Sequence, residues 1–343
     1  MAAPANPDAS LVLDLHDIVV LLNFERVTTD PRFRHAKLRE VTTTHFRTVL
    51  HRDLPEWNLK PNRIGWVFDT KKPPASREHE PDLPSNMLPS PTPENLRDLT
   101  PQQLETYFWQ ARNHDGCFAS AVLLQYFLDL FPDDTRLRVR TVENGCPKIY
   151  ETLADSRSII EFRLYDPKLL TVSDVMPGST SYIGGGDDTM PHCVLGFKSG
   201  DPSHAQSHIL GFDTILDMSC LQYGDVGRGF GGRGLFVLES EREYASRLRT
   251  FAERNSFHHA KISWRIQNVP PHHAQWLREA AKRAKARWDE RHKTRFCGHC
   301  GAPLKVPRRC GACRSVWYCD EMHQRSAWPS HKPFCKTLQT SSG

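Results

Sequence analysis

The chain has 343 residues, enough for two or three domains, and a formal net charge of +5 at pH 7. The charge is unevenly distributed, because residues 278–295 hold eight Lys or Arg against three acidic residues and the preceding part is net negative. Such a basic run is typical of the solvated face of a helix, and we favour that interpretation over a nucleic-acid-binding surface. Nucleic acid is therefore not an expected partner.

The first residues and the cysteine usage both indicate an intracellular protein. The stretch M-A-A-P-A-N-P-D-A-S lacks the basic start of a signal peptide, and Asp14, His16 and Asp17 interrupt the apolar run after it. Four cysteines are scattered outside the C-terminal region, which favours a reducing compartment over a disulfide framework. They are Cys117, Cys146, Cys193 and Cys220. We expect the cytoplasm or the nucleus, with no membrane association.

Residues 1–70 are predicted to form the N-terminal segment of a large domain. The run L-V-L-D-L-H-D-I-V-V-L-L-N-F predicts a helix with Asp14 and Asp17 on one side. Residues 71–101 contain eight prolines. Repeated proline disrupts both helices and sheet ladders, so this segment is expected to be an extended linker or a mobile loop.

Residues 102–268 are predicted to form an α+β domain. Thr100 and Pro101 start a first helix, and C-F-A-S-A-V-L-L-Q-Y-F-L-D-L-F, apolar almost all round, predicts a central core helix. Strands are predicted at R-L-R-V-R-T-V, S-I-I-E-F-R-L-Y, H-C-V-L-G-F, H-I-L-G-F-D-T-I-L-D-M and G-L-F-V-L-E. The run G-D-V-G-R-G-F-G-G-R-G lacks the Gly-Lys-Ser/Thr of a phosphate loop and is expected to be a flexible surface loop.

A long connecting helix is predicted over 270–293, where two prolines open it. Its apolar stripe consists of Leu277, Ala281, Ala284 and Trp288. We expect this helix to dock the C-terminal region against the larger domain.

A candidate nucleophile lies at the start of the core helix. Cys117 follows a polar turn, and the dipole at a helix N-terminus lowers the pKa of a thiol there. His192 begins a later apolar strand, and Asp217 ends the next one. This order of residues and elements over 105–225 is similar to that of the transglutaminase-like and papain-like cysteine enzymes, without extended sequence identity.

That resemblance implies a cysteine-dependent hydrolase or acyltransferase. Cys117 would be the nucleophile, His192 the base, and Asp217 the group that orients the imidazole. Asp213 is a rival for the third role, and Gln110 is a candidate for an oxyanion hole.

Each of these residues also has a purely structural interpretation. Cys117 can be a small buried hydrophobe, His192 a core histidine with satisfied hydrogen bonds, and Asp217 a turn cap bonded to Ser219. The large domain would then be a non-catalytic relative of such enzymes. The sequence leaves open whether the protein is an enzyme.

The C-terminal region carries eight candidate zinc ligands. They are Cys297, Cys300, Cys310, Cys313, Cys319, His323, His331 and Cys335. A Cys-x2-Cys pair forms a knuckle whose thiolates face one ion, and pairs four residues apart share one face of a helical turn. The spacing predicts two tetrahedral Zn²⁺ ions, and the region has too few apolar residues to fold without them.

Residues 297–335 resemble the MYND-type zinc finger. The matching text is C-G-H-C, C-G-A-C and V-W-Y-C-D-E-M-H-Q-R-S-A-W-P-S-H-K-P-F-C. The resemblance implies interleaved pairing, with the first and third ligand pairs on one zinc and the second and fourth on the other. His323 stands where the family usually has cysteine. His299, inside the first knuckle, is expected to face solvent.

The resemblance also implies a partner. The family binds short proline-rich peptides, and Gln324 and Trp328 match the positions it uses for that contact. A tryptophan face stacks well on proline rings, and an amide can bond the peptide backbone. The structural alternative is that Trp328 only covers the zinc core. Ala327 replaces the family's usual acidic residue, so the preferred partner can differ.

MYND fingers also occur in SET-type lysine methyltransferases, and Asn113-His114 before Cys117 is similar to their Asn-His-x-Cys stretch. One extra residue intervenes here, and no Pro-Asn follows. The finger is also C-terminal to the large domain, not inserted within it. We therefore favour a zinc-binding protein whose finger mediates protein–protein interaction, with the cysteine enzyme as the alternative.

Overall fold

The computed structural model describes residues 11–42, 55–58, 60–70, 79–143, 145–199, 209–260 and 263–340. Residues 1–10, on which the expectation of no signal peptide rests, and residues 71–78 of the proline-rich segment lie outside the described residues.

Helices form where apolar periodicity and capping residues coincide. The Thr100 hydroxyl accepts a hydrogen bond from the Gln103 backbone N–H, and the Gln103 side chain accepts one from the Thr100 N–H, as a capping box requires. The helices are α1 (Leu15–Thr28), α2 (Pro101–Arg112), α3 (Gly116–Leu128), α4 (Glu241–Phe251), α5 (Trp264–Gln267), α6 (Pro271–Asp289), α7 (Glu321–His331) and α8 (Cys335–Thr340). Among the described helices, none combines the length and the apolar character needed to cross a membrane.

The strands form several sheets around these helices. They are β1 (Val12–Asp14), β2 (Lys37–Thr42), β3 (Arg63–Asp69), β4 (Arg136–Glu143), β5 (Cys146–Leu153), β6 (Ser158–Pro167), β7 (Leu170–Met176), β8 (Thr180–Gly184), β9 (Thr189–Phe197), β10 (Thr214–Asp217), β11 (Val237–Ser240), β12 (Ala252–Ala260), β13 (Arg308–Arg309) and β14 (Trp317–Tyr318). A five-stranded antiparallel sheet has the order β11-β10-β9-β6-β12. The orders β2-β3-β7-β8 and β1-β4-β5 define two smaller sheets, and β13 pairs with β14 in the finger.

The main core lies where α3 packs between α1, α6 and strand β9. Nearly all of α3 is apolar, as the sequence predicts for a central helix, and most of its side chains are buried. The predicted stripe of α6 is confirmed, since Leu277, Ala281, Ala284 and Trp288 are all buried in this core. The chain is therefore a mixed helix-and-sheet protein with a small C-terminal finger.

The basic helix α6 uses much of its charge within the molecule. Arg283 and Arg287 each lie 2.8 Å from a carboxylate oxygen of the buried Glu25 on α1. Lys285 pairs with Asp289 one turn further along the helix, at 2.6 Å. These contacts attach α6 to α1.

Two segments are more ordered than the sequence suggests. The proline-rich region contains short 3₁₀ turns at Pro84–Asn86 and Glu94–Leu96. Met87, directly after the first turn, and Leu96, the last residue of the second, are both buried. The glycine-rich run also forms 3₁₀ turns, and Arg228 within it is buried. The expectation of a flexible surface loop is therefore wrong there, because ion pairs and hydrogen bonds to Arg228 hold the run against α2.

The finger packs directly on α1 through the end of its first knuckle. Gly301 has φ +80°, and a Cβ at this position would lie 2.4 Å from the Val20 carbonyl oxygen. Arg287 of α6 donates a hydrogen bond to the Gly301 carbonyl. The finger thus contacts α6 as expected, and it also contacts the large domain itself.

We predict that Gly301→Ala lowers the free energy of unfolding by about 1–3 kcal/mol, because it adds backbone strain and a clash with α1. Gly311→Ala is the matched control in the second knuckle, where a Cβ would meet nothing within 4 Å. Thermal unfolding of both zinc-loaded variants checks this. Equal effects of the two substitutions would contradict the packing at Gly301.

Candidate active site and zinc centres

Cys117 lies in the first turn of α3, behind a tightly bonded turn. The Gly116 N–H donates to the Asn113 carbonyl at 2.8 Å, and Asp115 adopts a left-handed φ of 51°. The Arg26 guanidinium is fully buried beside this turn and donates to the Asn113 side chain. The helix N-terminus and a buried cation therefore both lie close to the thiol.

The structure brings together the three residues that the sequence singled out. His192 on β9 and Asp217 at the end of β10 are both fully buried, and His192 Nε2 lies 2.8 Å from Asp217 Oδ2. The Cys117 thiol lies beside the His192 imidazole and contributes to raising its pKa. His192 and Asp217 follow Cys117 by 75 and 100 positions in the sequence, yet all three residues meet at one buried point.

Hydrogen bonds fix Asp217 as a charged acceptor. Its Oδ1 accepts from the Ser219 N–H at 2.9 Å, and its Oδ2 accepts from the Tyr244 hydroxyl at 2.9 Å. Burial raises the pKa of Asp217, but His192 and these donors outweigh burial and lower it below its usual value. Asp217 does bond Ser219, as the turn-cap interpretation predicts, and it bonds His192 as well.

Asp217 also governs the charge of His192. Burial alone lowers the pKa of His192, but the Asp217 carboxylate, with a smaller contribution from Cys117, raises it to about 10. Because Nε2 faces the carboxylate, Nε2 carries a proton and Nδ1 is the nitrogen available for proton exchange. This assignment follows from the hydrogen-bond network.

A second pair of side chains lies beside the imidazole. The Gln222 amide nitrogen is 3.0 Å from His192 Nδ1, and Gln110 Nε2 donates to the Gln222 carbonyl at 3.3 Å. Both glutamines line a small cleft of about 20 Å³ that opens to solvent. Tyr223 lines the same cleft, and its buried hydroxyl has no hydrogen-bond partner among the described residues.

The rival residue for the third role lies elsewhere. Asp213 accepts from Lys148 Nζ at 3.1 Å and from the Ser199 N–H at 2.8 Å. Cys220 starts the 3₁₀ turn Cys220–Gly227. Burial raises the pKa of both Cys193 and Cys220 well above the usual value of a thiol.

Sequence reasoning missed three residues around the triad. Tyr244 bonds both His192 and Asp217, Gln222 bonds His192, and Arg26 supports the turn before Cys117. Gln222 follows Asp217 closely, but Tyr244 and Arg26 lie on separate helices that no local pattern connects to the site.

The finger holds two clusters of four ligands. The first contains Cys297, Cys300, Cys319 and His323, and the second contains Cys310, Cys313, His331 and Cys335. Within each cluster the ligand atoms lie within 4.8 Å of one another. The pairs interleave along the chain, as the resemblance implied.

The distances within each cluster fit tetrahedral zinc. Cys300 and Cys319 have their sulfurs 3.7 Å apart, and Cys310 and Cys335 have theirs 3.8 Å apart. Zinc–sulfur bonds of about 2.3 Å give a tetrahedral edge of about 3.8 Å. The corresponding sulfur–nitrogen edge is about 3.5 Å, and His331 Nε2 lies 3.5 Å from Cys313 Sγ. The two sites therefore fit two zinc ions.

His299 does not face solvent as expected. Its side chain is buried, and its Nε2 lies 3.0 Å from Glu105 Oε1 on α2. The expectation is wrong because the knuckle packs on the large domain, which supplies a carboxylate at this point. A second imidazole, that of His323, lies against the same carboxylate at 3.8 Å.

The proposed peptide-contact residues lie on α7. Trp328 is 39% exposed, with its ring 5.9 Å from that of His331, and Gln324 is half-buried one turn earlier. Trp328 therefore packs against the zinc ligand His331, and part of its ring remains exposed to solvent.

Comparison with known proteins agrees with the finger. Residues 297–335 match the family model of the MYND finger. The SET domain and MYND-type zinc finger protein 6 of Schizosaccharomyces pombe is 40% identical over 53 residues, which cover 16% of this chain and 11% of that relative. No solved structure matches the chain significantly. The chain thus carries a zinc-binding MYND finger, which is a protein-interaction module.

We predict that the purified protein holds two zinc ions, one for each ligand cluster. Cys300→Ser and Cys313→Ser should each remove one ion, because each removes a thiolate from a different site. Elemental analysis of zinc per chain measures this. Loss of both ions from either variant, or a wild-type content of one, would contradict the cross-braced pairing.

Proposed function

We propose that the large domain is a cysteine-dependent acyl-transfer enzyme and that the finger brings it to its protein substrates. The observation that carries this proposal is the meeting of Cys117, His192 and Asp217 at one buried point, next to a solvent-connected cleft. A buried core histidine needs hydrogen-bond partners, but it does not need a thiol at the start of a helix.

The chemistry follows from the arrangement of the imidazole. His192, whose pKa Asp217 raises to about 10, holds the proton of the Cys117 thiol as an imidazolium, and Asp217 stabilises this imidazolium through Nε2. The Cys117 thiolate then attacks an acyl carbon of the substrate, and the carbonyl oxygen becomes an oxyanion. His192 returns the proton to the leaving group as the carbon–leaving-group bond breaks. Water or an amine then releases the acyl group from the thioester and regenerates the thiol.

The oxyanion needs hydrogen-bond donors near Cys117. The Cys117 backbone N–H lies at a helix N-terminus, where donors have no partner within the helix. The side-chain amides of Gln110 and Gln222 line the adjoining cleft, together with the free hydroxyl of Tyr223. We assign the oxyanion site to this group.

We further propose that the finger binds proline-rich segments of partner proteins. The partly exposed indole ring of Trp328 supports this assignment, and Gln324 lies one helical turn away from it. The free thiols of the large domain fit a reducing compartment, so we propose the cytoplasm or the nucleus.

The methyltransferase alternative receives no support from the residues that suggested it. Asn113 accepts a hydrogen bond from Arg26, and His114 Nε2 lies 2.8 Å from the Ile183 carbonyl. Both are engaged in holding the turn before α3. The similarity to the fission-yeast relative covers only 11% of that protein, so its SET domain gives no argument for this chain.

We predict that Cys117 reacts with iodoacetamide at pH 7 about ten times faster than an ordinary thiol, which is only a few per cent ionised there. The labelling experiment uses the zinc-loaded protein in which the exposed Cys146 is replaced by Ser. Mass spectrometry measures the labelling rate of each remaining cysteine. Cys193 and Cys220 are internal references, because burial raises the pKa of both thiols.

Two aspartates provide a matched control for this reaction. Asp217→Asn should slow labelling of Cys117 severalfold, because His192 loses the charge that stabilises its imidazolium. Asp213→Asn, four residues away and bonded to Lys148, should leave the rate unchanged. The enzyme proposal fails if Cys117 labels no faster than Cys193 in the folded protein.

For the finger, we predict that Trp328→Ala weakens binding to proline-rich peptides at least about tenfold and leaves two bound zinc ions. Fluorescence anisotropy with a panel of labelled proline-rich peptides, together with elemental analysis, measures both effects. Trp264→Ala is the control, since Trp264 is 74% exposed and lies outside the finger. Loss of zinc from the Trp328 variant would instead assign this residue to the zinc core.

A further inference from the structure

The zinc ligand His323 differs from a cysteine ligand in one chemical respect. A thiolate has a single ligating atom, whereas an imidazole has a second nitrogen that needs its own hydrogen-bond partner when buried. His323 Nδ1 lies 3.4 Å from Cys297 Sγ, which is the spacing of two ligands on one zinc. Nδ1 therefore faces the metal position, and Nε2 points away from it.

The group facing Nε2 belongs to the large domain. Glu105 on α2 is buried, and its Oε1 lies 3.8 Å from His323 Nε2 and 3.0 Å from His299 Nε2. Its other oxygen, Oε2, lies 3.0 Å from Arg228 Nη1. One carboxylate thus joins α2, the glycine-rich run and two imidazoles of the finger.

Arg228 holds the carboxylate in this orientation. It is itself buried, its Nε lies 2.8 Å from Asp225, and it donates to the Thr106 hydroxyl at 2.8 Å. These contacts neutralise the buried charge and fix Oε1 towards the finger. The glycine-rich run is therefore ordered because its Arg228 pairs with the buried Glu105.

We propose that Glu105 completes the first zinc site of the finger by orienting His323, so that this site reaches full affinity only when the finger is docked on the large domain. Among the described residues, Glu105 is grouped with His323 of the first site and with no ligand of the second site, which contains Cys310 and His331. The two zinc sites should therefore differ in their dependence on Glu105.

The test is Glu105→Gln in the full-length chain, with zinc removed by increasing concentrations of a chelator. Alkylation of the released cysteines, read by mass spectrometry, assigns each zinc to its site. We expect the first site to lose about 10–100-fold in zinc affinity, as for other partners of ligating histidines. The second site should be unchanged. Unchanged affinity at the first site would overturn the proposal.

Glu239→Gln is the control for loss of a buried carboxylate. Glu239 is buried and paired with Arg247, and it contacts neither cluster. It should leave both zinc affinities unchanged. If Glu239→Gln weakens the first site as much as Glu105→Gln does, the effect is general destabilisation and the proposal is wrong.

His323→Cys separates orientation of the ligand from simple docking. With a thiolate ligand there is no second nitrogen to orient, so Glu105→Gln should no longer weaken the first site in this background. A persistent loss of affinity would mean that Glu105 acts only by docking the finger through His299. A third equivalent of zinc that disappears with Glu105→Gln would instead indicate a separate metal site at Glu105, His299 and His323, and would also overturn the proposal.

Discussion

Burial of α3 is the constraint on which the rest of the structure depends. The helix is apolar almost all round, so it must be covered on every side. Helices α1 and α6 and strand β9 provide that cover, and the finger in turn packs on α1. Its first residues, Gly116 and Cys117, are buried as well. Polar groups at that end must then find partners inside the protein.

Those partners define the candidate active site. Arg26 and Asn113 satisfy the turn before α3, while β9 and β10 bring His192 and Asp217 to the Cys117 thiol. A charged carboxylate in the core requires compensating donors. Asp217 has them in His192, Tyr244 and Ser219. The same contacts that make this buried charge tolerable also orient the imidazole on which the proposed chemistry depends.

The contacts between finger and large domain give the MYND finger a different physical setting from that of an independent module. Its first knuckle lies against α1 and α2, and the buried His299 contacts Glu105 across that boundary. Helix α7 and the large domain thus belong to one packed unit. On the proposed function, this arrangement holds a bound partner at a fixed position relative to the cleft.

The sequence by itself determined the features that depend on short-range spacing. Eight ligands at fixed intervals specified two zinc sites, and the resemblance to the MYND finger implied their interleaved pairing. The 3.6-residue period specified the buried stripe of α6, and Thr100-Pro101 marked the start of α2. Tertiary structure alone decided which aspartate meets His192, that Tyr244 joins them, and that His299 is buried against Glu105. His299 and Glu105 are separated by 194 positions in the chain. Local patterns carry no information about such contacts, because the packing of whole helices and sheets brings these side chains together.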